Sequence, residues 1–308
     1  IVLTSACNLA GCANLDPAPL ASEHTPTIEL PTAPTSQPTS AATPSTLEQD
    51  ITYCTADGVA LKMDLHYPET TDAPLPAVVY VHGGAWIRGD KAIGGNARFV
   101  PELIERGYLV ASVNYRLAPQ YQFPAQIQDV KCAVRYLRAN ASMRNLDPNR
   151  IGAFGSSAGG HLVALLGAAD ESDGLDGSSE YPDQSGRVQA VVDLFGPIDA
   201  VTFCAPSVME RVFGATSCED EIFIVASPLT YISSDDPPFL IIHGDMDKVV
   251  PFDQSQLLYE QLVAAGVPAT LVVVENAGHG FTSHDGPISP TRAELAHLVA
   301  DFFDQHLK

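Results

Sequence analysis

Gly155-Ser156-Ser157-Ala158-Gly159 stands between the apolar run Ile151-Gly152-Ala153-Phe154 and the helix-forming run His161-Leu162-Val163-Ala164-Leu165-Leu166. A strand that turns into a helix over so short a stretch needs small residues at both ends, so that the two backbones can approach. The central side chain is then left at the tip of the turn. The pentapeptide therefore reads as a nucleophile elbow with Ser157 as the attacking residue. Ser156 beside it is the rival, and a plain glycine-serine turn is the inert reading.

Upstream, the β-branched run Ala77-Val78-Val79-Tyr80-Val81 predicts a buried strand and ends in His82-Gly83-Gly84-Ala85-Trp86. Glycines after a strand leave backbone N–H groups unshielded, as an oxyanion hole requires. The candidate donors are the amides of Gly83, Gly84 and Ala158. Downstream, Pro238-Phe239-Leu240-Ile241-Ile242 predicts a strand leading into His243-Gly244-Asp245-Met246-Asp247, and Thr270-Leu271-Val272-Val273-Val274 predicts another, leading into Glu275-Asn276-Ala277-Gly278-His279-Gly280-Phe281. His279, on a glycine-flanked loop, is the candidate base. Asp245 and Asp247 are both placed to orient it, whereas Glu275 lies too near it in the chain. The order Ser, Asp, His suits a triad at the ends of successive strands. His243, His284 and His297 read as structural or exposed, His82 as a shaper of the glycine loop, and His161 as a packing residue.

These segments, with Ile87-Arg88-Gly89-Asp90-Lys91, Asn114-Tyr115-Arg116-Leu117-Ala118-Pro119, Phe123-Pro124-Ala125 with Asp129, and Ser227-Pro228-Leu229, resemble in order the landmarks of the α/β-hydrolase carboxylesterases. The nearest groups are the hormone-sensitive-lipase-like and bacterial feruloyl-esterase-like (BD-FAE) ones. The resemblance implies Ser157 as nucleophile, Asp247 as acid, His279 as base, and Gly83, Gly84 and Ala158 as oxyanion donors. It also implies small acyl groups. Trp86, the only tryptophan, is a candidate lining of the acyl or aryl site or, equally, a packing residue. No amphipathic helical pattern precedes the first strand, which favours the feruloyl-esterase-like or arylformamidase-like side. Any cover over the site must then come from segments 170–187 or 199–226.

Alternating apolar runs and helical patterns predict an α/β fold: a mostly parallel eight-stranded sheet with helices on both faces, and an antiparallel edge hairpin through Asp57-Gly58. Residues 48–308 form the expected catalytic domain. Ahead of it, Leu9-Ala10-Gly11-Cys12 fits a bacterial lipoprotein site, with 1–11 as residual signal peptide, Cys12 as the lipidated residue and Cys7 as its rival. Residues 12–47, rich in Pro, Thr and Ser, read as a disordered tether. An exported protein, at the bacterial cell envelope or extracellular, follows, touching membrane only through its lipid.

The net charge of −21 argues against nucleic acid and anionic membrane surfaces as partners, and no motif calls for a metal or nucleotide cofactor. In an oxidising compartment Cys204 and Cys218, in one inserted segment, are expected to pair. Cys132 reads as a buried thiol on an apolar helix stripe, and Cys54 as a strand residue without a partner. The expected activity is hydrolysis of short-chain or small aryl esters through an acyl-enzyme. Amide, arylformamide or peptide cleavage by the same triad is the alternative, and a non-catalytic surface module the reading from another class. The sequence is silent on oligomeric state.

Overall fold

The computed structural model describes residues 47–69, 73–93, 98–177, 180–204 and 208–308. The expected leader, Cys12 and the tether up to residue 46 lie outside the described residues. The first strand, β1 (Leu47–Ala56), begins one residue inside the stretch read as tether and pairs antiparallel with β2 (Val59–His66). Asp57 and Gly58 both have positive φ, 49° and 76°, the turn geometry that matches the twist of a two-residue hairpin.

Strands β3 (Leu75–Val81), β4 (Leu109–Val113), β5 (Leu146–Ser156), β6 (Ala190–Leu194), β7 (Phe239–Gly244) and β8 (Ala269–Val274) complete an eight-stranded sheet of order β1-β2-β4-β3-β5-β6-β7-β8. From β4 to β8 every pairing is parallel, and β2 joins β4 antiparallel. The central strands β3, β4 and β6 are buried along their whole length. Helices cover both faces of the sheet, so these strands lack an alternating pattern: β3 is apolar throughout, and only Ser112 and Asp193 interrupt β4 and β6.

Two clusters of buried side chains lie on the two faces. One joins the sheet to α2 (Ala125–Ala139) and α3 (Ala158–Ala168), the other to α1 (Val100–Glu105) and the C-terminal helix Arg292–Leu307. In that last helix Leu295, Val299, Phe303 and Leu307 are buried, a spacing that puts them on one face. Each contributes about 1.5–3 kcal/mol. A Cβ at Gly152 on β5 would fall 2.6 Å from the Phe303 ring, so the glycine makes room for the helix. The helix begins with a capping box in which Thr291 Oγ1 accepts from the Glu294 amide.

The expectations for Cys54 and Cys132 require correction. The two form a disulfide across a separation of 78 residues, tying the edge hairpin to α2. Both side chains are buried, and burial beside an apolar stripe is how a half-cystine and a core thiol look alike in sequence. Cys204 and Cys218 are also bonded to each other.

The two candidate covers behave differently. Segment 170–187 is held along α2, where Lys131 Nζ donates to the carbonyls of Ala169 and Asp170 and Arg135 donates to that of Asp176. Ala169 closes the end of α3 remote from Ser157. Segment 199–226 is more than a loop: it contains a π-helical turn (Met209–Phe213) and a short helix, α4 (Ile222–Ala226). Two later helices, α5 (Asp253–Ala264) and α6 (Arg292–Leu307), follow β7 and β8.

Candidate active site

Ser157 sits between β5 and α3 with φ 56° and ψ −120°, a backbone state that costs a non-glycine residue about 1–3 kcal/mol and persists only where its surroundings enforce it. The enforcement is visible. The Ser157 amide donates to Leu194 O at 2.9 Å. A Cβ at Gly155 would lie 2.3 Å from Gly159 O, and one at Gly159 would lie 2.1 Å from Val81 O. Only glycines allow β3, β5 and α3 to cross so closely, and that crossing lifts the serine to the tip.

His279 Nε2 lies 3.0 Å from Ser157 Oγ, and its Nδ1 lies 2.7 Å from Asp247 Oδ2. A carboxylate can only accept, so Nδ1 carries the proton and donates to Asp247, leaving Nε2 to accept from the serine hydroxyl. His279 stands at the tip of a small hairpin formed by β9 (Ala277–Gly278) and β10 (Thr282–Ser283). The ring of Phe195 packs edge-on against it at 4.8 Å.

Asp247 Oδ1 accepts from the amides of Val249 at 2.8 Å and Val250 at 3.0 Å, and the carboxylate has no solvent exposure. Burial by itself would raise its pKa. The hydrogen bonds from His243 and His279, the charge of His279 and the Val249 amide outweigh that and hold it well below the usual carboxylate range. Of the two aspartates left open by the strand-end pattern, Asp247 faces His279. Asp245 instead accepts from the Ala277 amide at 3.2 Å, fastening the base of the histidine hairpin. Ser156 is buried, and Glu275 is exposed with its backbone paired to Ser289. His284 and His297 are exposed.

His243 is more closely involved than its structural reading suggested. It is fully buried. Its Nε2 donates to Val250 O at 3.0 Å and lies 3.4 Å from Asp247 Oδ2, while Nδ1 accepts from Ser255 Oγ at 2.7 Å. The imidazole thus braces the turn that carries the acid. Its position two residues before Asp245, at the end of the same strand, was the available signal.

The glycine loop after β3 flanks the serine. A Cβ at Gly83 would lie 3.4 Å from Ser157 Cβ. Gly84 has φ 121°, and its carbonyl accepts from the amides of Ile87 and Arg88, which curls the loop back on itself. Among the described residues none accepts from the amides of Gly83 or Gly84, and Ala158, first residue of α3, has no partner within its helix. His82 keeps the loop in place: its ring stacks on Tyr115 at 4.3 Å, and Tyr115 donates to His82 O at 3.0 Å.

Trp86 is buried. Its indole donates to His161 Nδ1 at 3.2 Å, and His161 Nε2 donates to Ala226 O at 2.7 Å. Complete burial lowers the His161 pKa to about 4, so the ring is neutral, consistent with one nitrogen accepting and the other donating. Trp86 and His161 line a narrow apolar pocket whose other walls include Pro197, Phe203, Phe213 and Phe223. Among the described residues no cluster of three or more His, Cys, Asp or Glu could hold a metal ion.

The profile of the BD-FAE family matches residues 63–262. Esterase LipC of Mycobacterium tuberculosis is 36% identical over 75% of this chain and 59% of its own length. The isoprenylcysteine alpha-carbonyl methylesterase ICME of Arabidopsis thaliana is 29% identical over 76% of this chain and 57% of its own. The chain therefore spans somewhat under two thirds of the length of these relatives. Among solved structures, a truncated carbohydrate esterase from gut microbiota superposes with a TM-score of 0.74 at 32% identity, covering 85% of this chain and 96% of that one. Esterase 2 of Thermogutta terrifontis, phosphoramylated by tabun, superposes with a TM-score of 0.70 at 26% identity over 85% of this chain and 94% of that one.

Proposed function

The chain belongs to the BD-FAE family of α/β-hydrolases, and on that premise we propose that it is a serine carboxylesterase acting on short-chain or small aryl esters through an acyl-enzyme. The observation that carries this reading is the continuous hydrogen-bonded line Ser157–His279–Asp247, with the serine held at positive φ on the elbow. In the acylation step Ser157 Oγ bonds to the ester carbonyl carbon while its proton passes to His279 Nε2. Asp247 stays ionised and balances the imidazolium. The oxyanion faces the amides of Gly83, Gly84 and Ala158, where one such donor is worth about 3–4 kcal/mol in the transition state. Collapse breaks the bond to the alkoxy oxygen, which takes the proton from His279 and leaves as the alcohol. Water then gives its proton to the same nitrogen, attacks the acyl carbon and regenerates Ser157.

Relatives named as esterases, and a structural neighbour carrying a tabun adduct, support the reading. The test is hydrolysis of p-nitrophenyl acetate by the chain and by Ser157→Ala. A loss of about 10⁶ in kcat is expected, together with one organophosphate adduct per chain on the Ser157 peptide in mass spectra. Undiminished hydrolysis by Ser157→Ala would sink the proposal.

We also propose export as a lipoprotein anchored through Cys12. The Leu-Ala-Gly-Cys sequence supports it, as do two disulfides in one chain, since such bonds persist mainly in oxidising compartments. Metabolic labelling with a palmitate analogue in a bacterial host, lost in Cys12→Ala, is the check.

A further inference from the structure

Asp247 is touched by two imidazoles. His279 Nδ1 donates to its Oδ2 at 2.7 Å, and His243 Nε2 lies 3.4 Å from the same oxygen. Behind His243 the line continues to Ser255, whose Oγ is 2.7 Å from His243 Nδ1. The acid is thus the midpoint of a run of five side chains, Ser157–His279–Asp247–His243–Ser255, with the reacting serine at one end and a fully buried serine at the other.

The chemistry of the contacts places the protons. His243 Nε2 faces the Val250 carbonyl at 3.0 Å and the Asp247 carboxylate, both of which only accept. That nitrogen must carry a hydrogen, and in a neutral imidazole Nδ1 is then the lone pair that receives the Ser255 hydroxyl. Without a donor at Nδ1 the ring is free to exchange tautomers. The other tautomer would set a nitrogen lone pair against the Val250 carbonyl and the carboxylate, and the turn at 245–250 that carries the acid would give way.

Ser255 is anchored well enough to hold that choice. It stands in the first turn of α5, where its amide donates to Phe252 O at 3.0 Å. Beside it, Gln254 Oε1 accepts from the amides of Ile198 and Asp199, each at 2.8 Å, which ties the turn to the loop after β6. The rings of Phe252 and Phe195 pack edge-on to His243 at 5.7 Å and 6.3 Å and fix the plane of the imidazole.

Resting on the esterase reading above, we propose that Ser255 is a positioning residue for that reaction: its hydroxyl selects the Nε2–H tautomer of His243, and that tautomer holds the Asp247 turn in register with His279. Ser255 meets neither substrate nor Ser157. It acts through His243 alone.

The experiment joins kinetics on p-nitrophenyl acetate with nitrogen NMR of the whole chain, isotopically labelled at its histidine nitrogens. Ser255→Ala is expected to lose about 10- to 100-fold in kcat, the scale of a small misplacement of a reacting group, with KM unchanged. The His243 signals, identified by their loss in His243→Gln, should be those of the Nε2–H tautomer in the wild type and of a tautomer mixture in Ser255→Ala. Ser255→Cys, close in size and a weak donor, should recover part of kcat. His243→Gln presents an amide N–H to the turn and has no tautomers, so adding Ser255→Ala to it should cost nothing further. A Ser255→Ala that is folded by near-UV circular dichroism and retains wild-type kcat would overturn the inference and leave the esterase reading intact. So would an unchanged His243 tautomer in that variant, an imidazolium at His243 in the wild type, or fully additive losses in the double variant. A wild type that cleaves no ester would remove the esterase reading and this inference together.

Discussion

The triad and the wall formed by segment 199–226 are built in contrasting ways. Ser157, Asp247 and His279 each stand within a few residues of the end of a parallel strand, and their supports are backbone amides, glycine contacts and the buried His243. The wall belongs to an insertion between β6 and β7, held by one disulfide, a few hydrogen bonds and ring contacts. Strand ends are fixed by the whole sheet, so they can hold a reacting serine and histidine at 3.0 Å. The insertion is fixed only by its own contacts, so its side chains can change without moving the triad. On the esterase reading proposed above, this is the arrangement expected where varied loops sit on a constant scaffold.

The largest effect that tests this division is Asp247→Asn. With the acid neutral, nothing holds the imidazole in the tautomer that leaves Nε2 free, and kcat is expected to fall about 10⁴-fold with the ratio of p-nitrophenyl acetate to butyrate hydrolysis unchanged. A shift in that ratio would show that the triad and the wall are coupled. The next largest is a comparison of the two disulfides. Loss of the Cys54–Cys132 bond, as the double serine variant, should cost about 4–5 kcal/mol in the chain-entropy model and leave the acyl profile alone. Loss of Cys204–Cys218 should cost about 3 kcal/mol and change that profile. Urea midpoints and p-nitrophenyl ester rates on both variants decide it, and equal profiles would break the contrast.

The smallest effect concerns the seam between the regions. His161, on α3, donates to Ala226 at the end of the insertion. Its folded pKa is lowered to about 4, against about 6.5 when unfolded. The unfolded state therefore binds the proton first. The stability this group contributes is complete above about pH 6.5 and is lost as pH falls toward 4, by about 2 kcal/mol at pH 5. His161→Gln, measured against the wild type by urea unfolding at pH 7.5 and pH 5, should lose correspondingly less stability on acidification. A parallel pH response in the two proteins would remove His161 as the seam.

Much of the frame was legible because its signals are local. Every strand of the parallel sheet contains an apolar run, and Ser157, Asp247 and His279 come within a few residues after such runs. What was missed depends on distance. Nothing near Cys54 or Cys132 says that a hairpin at the sheet edge will fold down onto α2. The π-helical turn at 209–213 and the short helix at 222–226 are too brief for a periodic pattern to emerge. His243 read as structural, and its contact with Asp247 depends on the turn at 245–250. The lone tryptophan drew attention by type, but its partner His161 lies 75 residues away, a pairing set only by the crossing of β3 and α3.

That crossing also shapes how the protein would answer random mutation. Gly155, Gly159 and Gly160 each have backbone or side-chain atoms within 2.3 Å of where a Cβ would stand, so even alanine must force strand and helix apart. In a saturation library scored by esterase activity, these positions should be as intolerant as the triad, although their side-chain positions face protein rather than substrate. A map of intolerance would therefore outline a strand-helix contact as sharply as a reaction centre. Only a separate score for folded protein would tell the two apart.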